Sequence, residues 1–319
     1  MAAAARQSNI GSTVNHNVRV EPLLSTGLSR YVSWHPKQIR PVDITRVATW
    51  NVEGLGPDST KLEQLLHAMR YYNIAILCLQ ETHVAAAPVY DMDGFLVILS
   101  GGLEGVREYA GVGFIVAPWA RSSIMCFVQH SSRLASLRMR VPGGNITLIC
   151  AYAPQSKIHF DIRQNFFMEL QEATSRAKCH GPLYCVGDFN ARFHGRPQVD
   201  RGVLGAYTWG RPEKDINPCS NAALLLEYAV TSGFVVANTF FQRSPHEQIT
   251  YYDIGVDPNG TVNKRDYAEI DHFLAPSEWL SSVENVRSRK DAALHSHHYL
   301  VTIDLAIVIP RKIAKQRNR

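Results

Sequence analysis

The sequence predicts an α/β fold, a four-layered sandwich of two packed mixed β-sheets flanked by helices, on three observations. Strand-like runs far outnumber helical ones. The helical runs are few and long, each with one apolar face. Several strand-like runs, such as Ile74-Ala-Ile-Leu-Cys-Leu79, are almost continuously apolar, as expected of strands in a buried sheet.

Residues 1–41 are polar and aperiodic and read as a flexible basic leader. Ile44-Thr-Arg-Val-Ala-Thr-Trp50 is rich in β-branched residues and begins the fold as a strand. Asp58-Ser-Thr60 offers cap residues for a helix over Lys61 to Tyr72, where Leu62, Leu65, Leu66 and Met69 share a face. Ile74 to Gln80 then closes a β-α-β unit. Strands follow at 94–99, 111–117, 123–129, 134–140 and 146–153, some parted by turns such as Pro142-Gly-Gly-Asn145. Gly111-Val-Gly113 reads as close sheet packing rather than a nucleotide loop. Asp161 to Lys178 is a helix, Leu183 to Val186 a buried strand, and Ala222 to Thr231 a helix stopped by Gly233. Strands at 234–238, 248–253, 268–274 and 299–309 complete a single domain over 42–310, and 311–319 is a basic tail. The irregular stretch 191–220 is long enough to expect a functional or mobile loop.

Charge and composition narrow the function. The formal charge of +5 comes from 33 basic and 28 acidic residues, but it is unevenly spread. Residues 1–40 carry five basic groups against Glu21, and 311–319 add five more. Residues 41–310 are left with 23 basic and 27 acidic groups, a mildly acidic body between two basic ends. Such ends suit nonspecific attraction to a polyanion. No apolar run reaches the 18 or so residues of a membrane helix, and the N-terminus lacks a signal-peptide core, so an intracellular location is expected. The six cysteines show no zinc-type spacing and read as reduced thiols.

Polar residues gather at strand ends. Trp50-Asn51 ends the first strand and Gln80-Glu81-Thr82 the second. Tyr152 lies near the end of its strand, and Gly187-Asp-Phe-Asn190 follows Leu183 to Val186. Glu269-Ile-Asp-His272 opens another strand, and Ser296-His-His298 precedes the last. Taken singly, a carboxylate after a buried strand is most often a turn or cap residue. Six placements in this order are harder to assign to turns.

The order resembles the endonuclease/exonuclease/phosphatase superfamily, the deoxyribonuclease I-like and apurinic-endonuclease-like phosphodiesterases, from about residue 44 to 307. Asn221-Ala-Ala-Leu-Leu-Leu-Glu-Tyr-Ala229 and Val235-Val-Ala-Asn-Thr-Phe-Phe-Gln242 look like the endonuclease domain of non-LTR retrotransposons. The resemblance implies a divalent-metal-dependent phosphodiesterase that cuts DNA to leave a 3′-hydroxyl, with Mg²⁺, or else Mn²⁺, as cofactor. It implies Glu81 as principal metal ligand with Asn51 beside it. Asp188 would orient or deprotonate the attacking water, and Asn190 would position the phosphate. His298, kept cationic by Asp271, would stabilise developing charge, and Tyr152 would place its hydroxyl near the phosphate or leaving oxygen. Thr250 and Tyr251 match the place of a Thr-Trp or Thr-Tyr pair in the retrotransposon relatives and would touch substrate. Apart from the resemblance, Arg192, Arg196, Arg201 and Arg211 share the long loop with Tyr207 and Trp209, a mixture of phosphate-binding and stacking groups that suits a nucleic-acid surface, with a solvated loop as the alternative. A nuclear monomer acting on DNA is the corresponding expectation.

One departure stands out. The family pattern Ser-Asp-His is Ser296-His297-His298 here, so an imidazole occupies the place of a metal-site carboxylate. Imidazole is a poorer partner for Mg²⁺ and suits Mn²⁺ or Zn²⁺ better. Three readings follow: a shifted metal preference, a weakened enzyme, or a binding domain that has lost catalysis. A related phosphodiesterase acting on RNA or a phospholipid is a further alternative. Consecutive residues on an extended segment face opposite ways, so His297 and His298 should not both point inward. Glu269 is a second departure, expected to add negative charge near the site.

Overall fold

A computed structural model of the chain describes residues 44–101, 110–142, 144–178, 180–193, 202–209, 217–253 and 266–307, with the backbone of two short strands before them. Those two are β1 (Val18–Glu21) and β2 (Tyr31–Trp34). Then come β3 (Thr45–Asn51), α1 (Thr60–Tyr71), β4 (Ile76–Gln80), β5 (Val89–Met92), β6 (Phe95–Ser100) and β7 (Val112–Val116). They are followed by β8 (Ile124–Gln129), β9 (Leu134–Val141), β10 (Gly144–Tyr152), α2 (Phe160–Ala177), β11 (Leu183–Asp188) and α3 (Asn221–Ser232). The chain continues through β12 (Phe234–Val236), α4 (Pro245–Gln248), β13 (Tyr251–Asp253), β14 (Asp266–Ala268), β15 (Asp271–Pro276), β16 (Val283–Arg289) and β17 (Leu300–Leu305).

Two mixed sheets form, ordered β1-β2-β8-β9-β10-β11-β15-β12 and β16-β17-β3-β4-β7-β6-β5, with β13-β14 as a separate ribbon. The parallel pairs are β3 with β4 and β10 with β11, the former joined across α1. Between the sheets lies a core in which Val47, Ile76, Cys78 and Phe114 of one sheet meet Leu148, Cys150, Val186 and Phe273 of the other. On the outer faces, Leu62, Leu65, Leu66 and Met69 of α1 cover Ala48, Trp50, Leu77 and Leu79. Phe166 and Leu170 of α2, with Leu225 and Tyr228 of α3, cover Ile149, Cys185 and Leu274. The result is the expected sandwich of helix, sheet, sheet and helix, a deoxyribonuclease I-like fold. Among the described residues, no helix is long and apolar enough to cross a membrane.

Several expectations change in detail. β1 and β2 fall within the span read as a leader and pair onto β8, whereas 1–17, 22–30 and 35–43 lie outside the described residues, as does the tail from 308. The strand expected at 248–253 is only β13, because Pro245 starts a helical turn, and the strand expected at 268–274 is split into β14 and β15. β5 and β16 were not foreseen. At the two edges of their sheet, β5 is exposed or half-buried throughout and β16 alternates buried with exposed or charged positions, so neither has the apolar run that marked the inner strands. Cys78, Cys126, Cys150 and Cys185 are buried free thiols, and Cys219 is an exposed one.

Candidate active site

The period of two along each strand carries the core residues directly into the site. On β3, Val47 faces the inter-sheet core and Asn51 lies two pairs of residues further along the same face. In the same way β4 runs from Ile76 and Cys78 to Gln80, β10 from Leu148 and Cys150 to Tyr152, β11 from Tyr184 and Val186 to Asp188, and β15 from Phe273 to Asp271. Strand register sets them side by side. Tyr152 pairs with Asp188, Asp188 with Asp271, and Asn51 with Gln80. The polar cluster is therefore the end of the inter-sheet core, where apolar contacts give way to a cleft of about 810 Å³.

Gly187 makes the register possible. Its φ of +148° is one that L side chains rarely adopt, and an added Cβ would sit 1.9 Å from the Ala151 carbonyl oxygen. Three site residues without that freedom, Glu53, Glu81 and Asn190, also take left-handed backbone angles of +48°, +51° and +48°. Strained positions of this kind persist only where surrounding structure imposes them.

The Asn51 amide joins the sheets at the cleft floor. Asn51 Nδ2 donates to Glu81 Oε1 at 2.9 Å and to Asp188 Oδ2 at 3.0 Å, while its Oδ1 accepts the Glu53 N–H at 3.1 Å. Asp188 Oδ1 accepts the Asn190 N–H at 2.8 Å, and Asn190 Nδ2 donates to the Ala153 carbonyl at 3.0 Å. Burial pushes the Asp188 carboxyl up to about 7; the nearby His298 charge opposes that rise and Asp271 adds to it.

His298 and Asp271 form the second half. His298 Nδ1 lies 2.9 Å from Asp271 Oδ2, and its Nε2 lies 3.8 Å from Asp188 Oδ2. Burial alone would lower its pKa, but Asp271 foremost, then Asp188 and Glu53, raise it to about 9. The segment is pinned from below: Trp50 Nε1 donates to the His298 carbonyl at 2.9 Å and Ser296 Oγ to the Asn51 carbonyl at 2.7 Å. The ligand atoms of Asp188, Asp271 and His298 all lie within 4.8 Å of one another. An imidazole flanked by carboxylates and held protonated has no lone pair for a metal, so this trio suits a charge relay better than a cation cage.

Tyr152 is buried beside the acidic floor, its ring under the Arg133 guanidinium at 4.7 Å, with its hydroxyl bonded to Glu81. Burial first, then the charges of Glu81 and Asp188, drive its phenol far above the ordinary value, so it stays a proton donor. Tyr251 sets its ring 4.9 Å from that of His298, and Arg192 and Lys157 bring cationic groups to the cleft wall.

The structure separates some residues expected together. His298 is buried, whereas the His297 side chain is 48 % exposed at the rim. There its Nδ1 meets Glu53 Oε1 at 3.0 Å, and its backbone N–H donates to Glu53 Oε2 at 3.2 Å. Glu53 was not singled out from sequence; the available signal was a carboxylate two residues beyond Asn51 and just before Gly54. His83, whose Nε2 lies 3.3 Å from Glu81 Oε2, was also missed. Thr250 does not reach the cleft. It is buried, with its Oγ1 accepting the N–H groups of Ile270 and Asp271 at 3.0 and 3.1 Å, so it braces Asp271. Glu269 is likewise turned away, bonded to Asn238 Nδ2 at 3.2 Å, and burial pushes it up to about 8. His272 faces the helices, 2.8 Å from the Ala191 carbonyl, as a core histidine. Arg196, Arg201 and Arg211 lie outside the described residues.

The chain is 26% identical over 255 residues to craniofacial development protein 2 of Bos taurus and of Tragulus javanicus, matching 80% of this chain. The chain spans about two fifths of the length of these relatives. Its structure is similar to an AP endonuclease from Leishmania major, with a TM-score of 0.59 at 16% identity over 85% of this chain and 92% of that one. The Xenopus laevis APE2 catalytic domain gives 0.57 at 17% identity, over 81% and 91% of the two chains. The endonuclease domain of TRAS1, a telomere-specific non-LTR retrotransposon, gives 0.54 at 13% identity, over 82% and 99%. At these identities the structural likeness speaks for the fold. The model of the Endonuclease/Exonuclease/phosphatase family matches residues 48–288, and the chain belongs to that family, whose members hydrolyse phosphodiester bonds with divalent metals.

Proposed function

We propose that this protein is a divalent-metal-dependent phosphodiesterase that cuts DNA internally and leaves 3′-hydroxyl ends, in the manner of the retrotransposon endonucleases. The observation that carries the reading is the junction at Asn51. One amide there ties Glu81, the end of one sheet, to Asp188, the end of the other, beside a buried His298–Asp271 pair.

The donor set fits a hard divalent cation. Glu81, Glu53 and Asp188 bring carboxylate oxygens to one cleft, and hard ions such as Mg²⁺ or Mn²⁺ prefer oxygen donors. Glu81 would hold the ion, with Asn51 beside it and Glu53 and His297 on the rim. When bound, such an ion neutralises phosphate oxygens and lowers the pKa of a bound water.

The chain's own groups account for the remaining work. Asp188, with a pKa near neutrality, accepts a proton from the attacking water at physiological pH. The Asn190 backbone bond to Asp188 Oδ1 fixes the orientation of that carboxylate. The His298 imidazolium offers Nε2–H to a phosphate oxygen as charge builds there, and Asp271 keeps it protonated. Tyr152 keeps its phenolic proton and holds the Glu81 carboxylate in place beside the cleft floor. A DNA substrate would make this a nuclear protein.

The test is nicking of supercoiled plasmid with Mg²⁺ and with Mn²⁺, followed by extension of the nick with a DNA polymerase. The reading expects extendable nicks that Glu81→Gln abolishes, and a gain in the Mg²⁺-supported rate for His297→Asp. Nicks that no polymerase extends, or nicking unaffected by Glu81→Gln, would overturn it.

A further inference from the structure

A ribbon of rings runs outward from the cleft rim. The extended segment before β17 lies against β13, with the Tyr252 N–H donating to the His297 carbonyl at 3.0 Å and the Tyr299 N–H to the Thr250 carbonyl at 2.7 Å. Alternation then sorts the side chains. Tyr251 turns inward to His298, and Tyr252 turns to the outer face. There the Tyr252 ring stacks on Tyr299, with centroids 5.2 Å apart and planes 26° from parallel, and meets the His297 ring at 5.4 Å. Lys290 Nζ sits 5.2 Å from the ring centroids of both Tyr299 and Tyr267.

Core packing does not explain this ribbon. Tyr252, Tyr267, Tyr299 and Lys290 are only half-buried, and none belongs to the three apolar cores. The group meets the cleft at His297, which lines it, and holds the Lys290 ammonium between Tyr299 and Tyr267, the latter being the cross-strand partner of Tyr252. Half-buried rings grouped around a cation at the cleft rim match an unpaired nucleic-acid strand, whose bases expose π-faces and whose phosphates carry charge. A duplex buries those faces in its own stack.

We propose that Tyr252, Tyr299, Tyr267 and Lys290, starting from His297, form a stacking track for unpaired nucleotides flanking the bond held in the cleft. The substrate would then be DNA with a single-stranded flank. This rests on the nuclease reading above and adds a substrate class to it.

The full chain, with Ca²⁺ replacing Mg²⁺ to read binding apart from cleavage, is titrated with a blunt duplex and with the same duplex bearing a short oligothymidine flank. A 2-aminopurine at the junction reports stacking. Wild type should prefer the flanked duplex and quench the 2-aminopurine. Tyr252→Leu and Tyr299→Leu should each weaken flanked binding about tenfold, leaving blunt binding within about twofold. Tyr252→Phe, which keeps the π-face, should behave like wild type. Equal wild-type affinity for both duplexes, parallel losses on both, or a Tyr252→Phe as weak as Tyr252→Leu would overturn the track. Those results together with intact metal-dependent nicking would sink the track alone, whereas binding of neither duplex would sink the nuclease reading with it.

Discussion

Replacing Asp271 with Asn removes a charge from the site while keeping an acceptor for the His298 Nδ1–H. In the native protein the neighbouring carboxylates, Asp271 foremost, push the buried His298 imidazole up to about 9 from its ordinary 6.5. That difference corresponds to about 3 kcal/mol favouring the imidazolium. Burial is the largest influence and opposes the charged form, so without Asp271, the foremost of the groups that raise it, the pKa should fall and the neutral ring should gain population at pH 7.5. If the imidazolium stabilises the phosphate, kcat/KM at that pH should drop by about 10². The native profile should rise through about 7 as Asp188 ionises and fall through about 9 as His298 loses its proton. In Asp271→Asn the falling limb should move to acid pH. Ring-proton NMR gives the His298 titration directly, and nicking rates across pH give the limbs. A His298 that still titrates near 9 in the variant, or a profile that keeps its alkaline limb, would refute the coupling.

Three further perturbations follow from the same geometry. Gly187→Ala forces a Cβ to within 1.9 Å of the Ala151 carbonyl in the β10–β11 pairing, and should cost about 3 kcal/mol, roughly 10 °C in Tm; an unchanged melt would refute the close approach of the two strands there. Glu269 is raised by burial from 4.5 to about 8, so the folded state holds a proton that the unfolded state has lost between those pH values, and stability declines as pH rises through that window. Glu269→Gln should flatten that decline, by up to about 1.4 kcal/mol per pH unit, as read by denaturant melts from pH 5 to 8.5. Truncating 311–319 removes five basic residues and should reduce the salt slope of DNA binding by at most about 4.5; an identical slope would leave those charges without a role.

The sandwich was legible because its inner strands are covered on both faces, which leaves apolar runs that short edge strands lack. β5 and β16 were invisible for the complementary reason: their exposed and charged positions at sheet edges erase the run. The floor of the site was legible too, since Asn51, Tyr152 and Asp188 continue the inward face of strands that the pattern had located. Side-chain direction failed where the strand breaks. Between β14 and β15, Glu269 and Ile270 belong to neither ladder, and Glu269 turns to Asn238 instead of the cleft. Thr250 precedes β13, so its role as a brace for Asp271 depends on a contact 21 residues away in sequence. The partnership of Glu53 with His297 spans 244 residues and places a carboxylate beside the very position where the family pattern would have one. Spacing along the chain holds no record of such a pairing.

Asp188 is the group whose removal tests the account most directly. It is buried at the junction of the two sheets, and Asp188→Asn keeps the shape and the acceptor for the Asn190 N–H, gives up the bond from Asn51 Nδ2 and removes the proposed base. Cleavage of a defined DNA duplex by native protein and by Asp188→Asn, at pH 8 with Mg²⁺ and again with Mn²⁺, should differ by at least about 10² at equal thermal stability. Equal cleavage by the two proteins, or none by the native protein with either metal, would contradict the claim that this cleft hydrolyses phosphodiesters.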